Sequence, residues 1–235
     1  YKVISNKGSY LFSRIDLAKL IDPVLRPSYI KTAKRFDTVI IDPGHGGTDP
    51  GSQNRYGKEK DFNLRLTKIL MKDLERKGFR VRMTRSSDVY PTLGERVQFS
   101  NRIPNAIFVS IHFNSFVNNT AKGIETYALS PQGSGTHNDR GAQNNFLKGN
   151  VRDSENIALA TAIHASIMKK TQAEDRGIKR DRFTVLAGLS MPAILVEGGF
   201  LSNPAEAKKI ATSSYLSILS SGIASGIVTY RNALR

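Results

Sequence analysis

The chain has 235 residues, with 35 Lys+Arg against 20 Asp+Glu, and its length supports one domain, alone or with an appendage, large enough to bury a sizeable core. Hydrophobic residues at 39% and charged residues at 23% exclude a wholly disordered chain, and the absence of cysteine excludes a disulfide framework, a thiolate nucleophile and Cys-ligated metal. The net charge of +15 favours a polyanionic neighbour, be it nucleic acid, an anionic membrane face or an acidic cell-wall polymer.

Tyr1 and Lys2 open on mixed polar sequence with no visible signal peptide, so the chain reads as a trimmed mature product. Residues 1–36 read as a basic N-terminal arm or linker, with prolines at 23 and 27 and one short helix around Asp16 to Ile21. Regular patterning begins at Thr38-Val39-Ile40-Ile41, a β-branched run that Pro43 and a glycine-rich turn stop, as expected of a buried strand. A helix follows, with Asp61 as its expected N-cap, Phe62, Leu66, Ile69, Leu70 and Leu74 on one face, and Gly78 at its end. Phe79 to Met83 alternates as a strand, and Thr92 with Glu95 forms a capping box for a helix running toward Ile103.

Ala106 to Ile111 and Gly123 to Leu129 give two further strands, whereas the Gly-, Asn-, Gln- and Ser-rich stretch 130–153 is a long loop without a stable helix. Ser154 is the expected cap of the next helix, Phe183 to Ala187 and Ala193 to Val196 read as strands, and Asn203-Pro204-Ala205-Glu206 is a helix start. Ser213 to Tyr230 carries no charge, yet its serines, its glycines and the one-sided recurrence of bulky residues make it a packed helix rather than a membrane span. Alternating strands and helices predict an α/β domain, its largely parallel sheet covered on both faces.

In open α/β sheets ligands gather outside the carboxyl ends of strands. His45 follows the first strand, His112 follows Ile111, Glu197 follows Val196, and Glu59 lies just upstream of the expected cap Asp61. Two imidazoles and one carboxylate would leave the fourth position of a tetrahedral zinc site open, and a further carboxylate would then be free to act as general base. The residues alone leave open which glutamate binds metal. Bland readings compete: a histidine after a strand often bonds nearby backbone, Glu197 could be a turn residue, and Glu59 between Lys58 and Lys60 looks like a solvated charge.

The segments VIIDPGHGGTDPG at 39–51, GKEKDFNL at 57–64, MTRSSD at 83–88, FVSIHFN at 108–114, RGIKRDRFTVL at 176–186 and PAILVEGGFLSNPAE at 192–206 occur in this order. Together they resemble the zinc-dependent N-acetylmuramoyl-L-alanine amidases of bacterial cell-wall metabolism over about residues 37–231. The resemblance implies a mixed, mainly parallel six-stranded sheet flanked by helices, with 37–235 as the catalytic domain. It implies one zinc ion held by His45, Glu59 and His112, with Glu197 as the catalytic carboxylate. Asn114, Arg176 and Lys179 are the candidates for substrate contact, with Asn101 and Arg180 beside them, against the alternatives of turn-stabilising asparagines and a solvated basic face. Gly44, Gly46 and Gly47 would let the turn approach metal and substrate closely. His164 on an apolar helical face reads as packed, and His137 lies in the long loop.

The expected activity is hydrolysis of the amide between N-acetylmuramic acid and L-alanine in peptidoglycan, outside the cytoplasm, through an open or loop-gated site. Room is left for an activator protein among its partners. A zinc peptidase acting within the stem peptides is the enzymatic alternative. A basic binding module is the non-enzymatic one, although no helix-turn-helix, RNA-binding aromatic motif or zinc finger is present, so nucleic acid is not expected. The basic excess fits attraction to an anionic wall, so binding to intact sacculi should weaken strongly with added salt. Salt-insensitive pelleting with sacculi would contradict that assignment.

Overall fold

A computed structural model of the chain describes residues 4–6, 9–11, 13–139 and 141–234. Tyr1 and Lys2, on which the signal-peptide reading rests, lie outside them. Strands β1 (Ile4–Asn6) and β2 (Ser9–Leu11) pair as an antiparallel hairpin. Helix α1 (Arg14–Asp16) continues through a π-helical turn, Leu17–Ile21, into α2 (Asp22–Leu25), so the helix expected around 16–21 extends at both ends. Ser13 starts it by accepting a bond from the Asp16 N–H. This segment lies on the remainder of the fold: Arg180 donates to the Lys19 carbonyl, and Arg152 to that of Thr32.

Strand β3 (Thr38–Pro43) is wholly buried and leads past the small hairpin of β4 (Gln53–Asn54) and β5 (Gly57–Lys58) into α3 (Glu59–Arg76). There follow β6 (Arg80–Met83), α4 (Leu93–Asn101), β7 (Ala106–Asn114) and β8 (Ile124–Leu129). The second half holds α5 (Asp153–Thr171), β9 (Asp175–Asp181), α6 (Thr184–Ala187), β10 (Ala193–Phe200), α7 (Pro204–Ile210) and α8 (Ser213–Ala233). The sheet order is β6-β3-β7-β10-β8-β9, and only the β10–β8 pair is antiparallel. One face carries the large core with residues of α3, α5 and α8, and the other a smaller core with Val185 and Leu186 of α6. The expected mixed six-stranded sheet is the one observed.

The capping box of Thr92 and Glu95 forms, and Asn203 caps α7 by accepting from the N–H groups of Ala205 and Glu206. Several sequence expectations are corrected. Asp61 is not the N-cap of α3, which begins at Glu59; Asp61 lies in the first turn, where a carboxylate still favours the helix dipole. Helix α5 likewise starts one residue before Ser154. Residues 184–187 are helical, and the strand at this edge is β9, whose sequence Asp-Arg-Gly-Ile-Lys-Arg-Asp lacks apolar alternation because its charged side chains bond His164, Glu125 and the Leu129 and Lys19 carbonyls. Strands β7 and β10 run three and four residues further than their apolar runs, so His112 and Glu197 lie within strands rather than beyond them.

Helix α8 is a packed core helix, with Tyr215, Leu216, Leu219, Ile223 and Ile227 buried. No single helix among the described residues is long and apolar enough to cross a membrane. Glycines bring α8 against α5: a Cβ on Gly226 would lie 2.4 Å from Ile163 Cα and 2.8 Å from the Ala162 carbonyl oxygen. Alanine there gains helix propensity but meets backbone, which cannot rotate aside. Gly226→Ala should therefore cost about 1–3 kcal/mol in urea unfolding; an unchanged or raised midpoint would show that the helices part without penalty.

Candidate metal centre and active site

The turn after β3 begins with a close approach. A Cβ on Gly44 would sit 2.2 Å from the His112 ring, so only glycine lets this backbone pass the second imidazole. His45 then adopts φ 59°, the left-handed region that costs a non-glycine residue free energy and persists only when its surroundings enforce it. Two buried guanidiniums do so. Arg96 donates to the carbonyls of Pro43 and His45 at 2.8 Å each, and Arg85 to those of Pro43 and Gly44 at 3.0 and 2.9 Å. Arg96 is balanced by Asp42 at 2.6 Å, which also accepts from Ser110 and Thr84. Three successive carbonyls are thus held by cations, which fixes the direction in which His45 leaves the turn.

Glu59, read from composition as a solvated charge between lysines, is 5% exposed. As the first residue of α3 it turns inward, while the Lys60 ammonium binds Asp88 and the Gly47 carbonyl. Its Oε2 accepts from the Ser52 N–H and its Oε1 from the Phe113 N–H. The same Oε1 lies 3.1 Å from His45 Nε2 and 3.0 Å from His112 Nδ1. One nitrogen or oxygen from each of His45, Glu59 and His112 falls within 4.8 Å of the others, compact enough for one ion. Two imidazole nitrogens and a carboxylate oxygen are a donor set that zinc accepts, with a fourth position left for water or substrate.

The electrostatics agree with that fit. Burial disfavours a charged His45, but bonds and charge from Glu59 and Asp49 outweigh it and push its pKa up to about 9. Burial alone would raise Glu59, yet the two imidazoles hold its carboxyl well below the usual range. The concentrated negative potential that retains protons on imidazole equally favours a divalent cation. Asp49 lies 2.8 Å from His45 Nδ1, leaving Nε2 toward Glu59, an arrangement that sets the tautomer of a ligating histidine.

Glu197 stands beside this group by sheet register: it is the partner of His112 on β7 and of Glu125 on β8. Its Oε2 is enclosed without a hydrogen-bond partner. Burial, reinforced by the charges of Glu59 and Glu125 and opposed by Lys179, pushes its pKa well above the carboxylate range. A carboxyl group that readily takes up a proton is suited to general acid–base work.

The other candidates divide. Asn101 holds backbone, donating to the Gly188 carbonyl and accepting from the Ser190 N–H. His164 is buried between Thr126 Oγ1 and Asp175, and the His137 N–H donates to the Arg180 carbonyl. The loop after β8 is pinned to the end of β9 through that bond, through Ser130 to Asp181 and through Arg182 to Ser134. Asn114, Arg176 and Lys179 all bond Glu125. Sequence reasoning missed Glu125, Asp49, Arg85 and Arg96; a carboxylate inside the otherwise apolar or neutral run of β8 was the available signal. Asp49→Ala should weaken divalent-metal affinity about 10–100-fold with little change in the unfolding midpoint; unchanged affinity in a metal titration would remove Asp49 from the support of His45.

The family described as N-acetylmuramoyl-L-alanine amidase matches residues 39–229 of the chain. The Staphylococcus saprophyticus protein called "Probable cell wall amidase LytH" is 32% identical over 196 residues, covering 82% of this chain and 58% of its own length. The chain therefore spans a little under three fifths of that relative. The crystal structure of N-acetylmuramoyl-L-alanine amidase from Clostridium difficile 630 superposes with a TM-score of 0.71 at 34% identity, covering 85% of this chain and 98% of that one. The CwlD amidase of Clostridioides difficile, solved in complex with the GerS lipoprotein, superposes with a TM-score of 0.69 at 27% identity, over 83% of this chain and 98% of CwlD. With the match covering all of the sheet but Thr38, and the His45–Glu59–His112 group, the chain belongs to the N-acetylmuramoyl-L-alanine amidase family.

Proposed function

We propose that this chain hydrolyses the amide joining the lactyl group of N-acetylmuramic acid to L-alanine in peptidoglycan, outside the cytoplasm, with one zinc ion held by His45, Glu59 and His112. The observation that carries the reading is the placement of Glu197 at the register position next to His112, with an unpartnered oxygen beside a three-donor group. The chemistry that zinc supplies in such a site is Lewis acidity toward the carbonyl and acidification of water. The remaining steps belong to the chain. Glu197 takes a proton from water as its oxygen adds to the carbonyl carbon, then returns it to the alanine nitrogen as the C–N bond breaks. The products are a lactyl carboxylate and a stem peptide with a free N-terminal L-alanine.

The anchoring of the loop at 130–139 to β9 supports a site that needs no partner to uncover it. The complex with GerS belongs to CwlD; a need for a partner here would show as cleavage only after a second protein is added. Digestion of intact peptidoglycan by the purified protein alone, with and without a chelator, should give a new N-terminal alanine that appears only with metal. A new amine inside the stem peptide would instead assign a peptidase. Glu197→Gln should retain stoichiometric zinc and lose about 10²–10⁴-fold in turnover; retained turnover would remove Glu197 from the proton-transfer role.

A further inference from the structure

The three side chains expected to meet substrate converge on a carboxylate that the family resemblance did not single out. Glu125 on β8 is 2% exposed and accepts four bonds. Oε1 takes Arg176 Nε at 2.7 Å and Lys179 Nζ at 2.5 Å, and Oε2 takes Tyr127 Oη at 2.8 Å and Asn114 Nδ2 at 3.0 Å. The cations are held a second time, Arg176 over the Phe200 ring at 5.0 Å and Lys179 over the Tyr127 ring at 5.8 Å.

Residues three apart in a regular strand point to opposite faces, so Arg176 and Lys179 should not reach the same carboxylate. A bulge removes the obstacle. Ile124 pairs with Asp175 while Thr126 pairs with Ile178, so β9 carries one extra residue, and Gly177 takes φ 78° within it. The extra residue reverses the alternation and aims both cations at Glu125, a re-aiming that bulges beside active sites commonly provide.

Glu125 and Glu197 are direct partners across β8 and β10, and like charges in that position repel. Arg176 and Lys179 place two positive charges on the Glu125 side of that pair. We propose that Glu125, seated by the β9 bulge, is a positioning residue: it fixes the Lys179 ammonium near Glu197 and ties Asn114 at the end of β7 to the same carboxylate, so that Glu197 works in a preset electrostatic surrounding. Arg176 and Lys179 are then parts of the catalytic frame rather than receptors for stem-peptide carboxylates. The role in turnover rests on the amidase reading; the holding of Lys179 does not.

The test pairs amine labelling with kinetics on the full chain. In the wild type Lys179 should react slowly with an acetylating reagent, and Glu125→Gln should speed its modification at least about tenfold, because the charge-assisted bond that withholds the amine is lost. On a soluble muropeptide, Glu125→Gln should lower kcat about 10–100-fold with KM and bound zinc unchanged. Lys179→Met should do the same, Lys179→Arg should recover most of the turnover, and the Glu125→Gln/Lys179→Met double variant should be no worse than the weaker single one. Unchanged Lys179 labelling in a folded Glu125→Gln protein, or a rise in KM alone, would overturn the proposal. Should Glu125→Gln not fold, an undiminished kcat in Lys179→Met would overturn it as well. A wild type that releases no N-terminal alanine would sink the amidase reading, while the labelling still decides whether Glu125 holds Lys179.

Discussion

A carboxylate almost out of water is unstable unless every lone pair is matched, and Glu59 shows how much structure that requirement organises. Its two oxygens meet two imidazoles and the backbone N–H groups of Ser52 and Phe113. These partners come from the turn after β3, the segment before β4 and the end of β7, so one side chain at the start of α3 ties together the elements that carry His45 and His112. The packing leaves no slack: a Cβ on Gly51 would lie 2.6 Å from Glu59 Oε2 and 2.7 Å from the His45 ring. The charge that would bind a cation is therefore also what draws the donors into one place.

The turn bearing His45 poses the converse problem, because its carbonyls are buried rather than its charge. A sharp turn at the end of a central strand leaves acceptors that no ladder can satisfy. Arg85 and Arg96, each 3% exposed, fill that need with the only side chain that offers several donors in a fixed fork. Arg96 has Asp42 as a counter-charge, whereas Arg85 is matched to carbonyls of Pro43, Gly44, Lys60 and Ser87. His45 thus leaves a turn whose carbonyls are all tied down, while His112 is held by the β7 ladder, so both imidazoles project from preorganised backbone.

What was legible in the sequence followed from local rules. Thr92 and Asn203 announce their helices because caps act within three residues, and β3, β7 and β10 are visible because a strand buried on both faces reads as an apolar run. What was illegible depended on distant partners. By composition Glu59 looks solvated because its neighbours are lysines, and only the family resemblance singles it out; the fold supplies the reason, since helix geometry sends Lys60 toward Asp88 while Glu59 turns in. His112 and Glu197 seemed to follow their strands, since polar residues end an apolar pattern; the ladder in fact continues through them and sets them side by side. Strand β9 was missed for the same reason that its bulge matters, since charge and glycine obscure the period of two.

The basic excess also divides by location. Composition treats every lysine and arginine as part of an outer field, yet Lys60, Arg85 and Arg96 are buried and serve the Gly47, Pro43, Gly44 and His45 carbonyls. Arg176 and Lys179 are likewise committed to Glu125. Lys60, Arg85, Arg96 and Lys179 act over bond lengths in a low-dielectric surrounding, where salt screens them little, whereas Arg65, Lys68, Lys72 and Arg76 on the exposed side of α3 act through water and are screened within about 10 Å at 0.1 M salt. Ionic strength therefore acts chiefly on the outer set and on long-range attraction to an anionic polymer, and leaves the geometry around Glu59 and Glu197 nearly untouched.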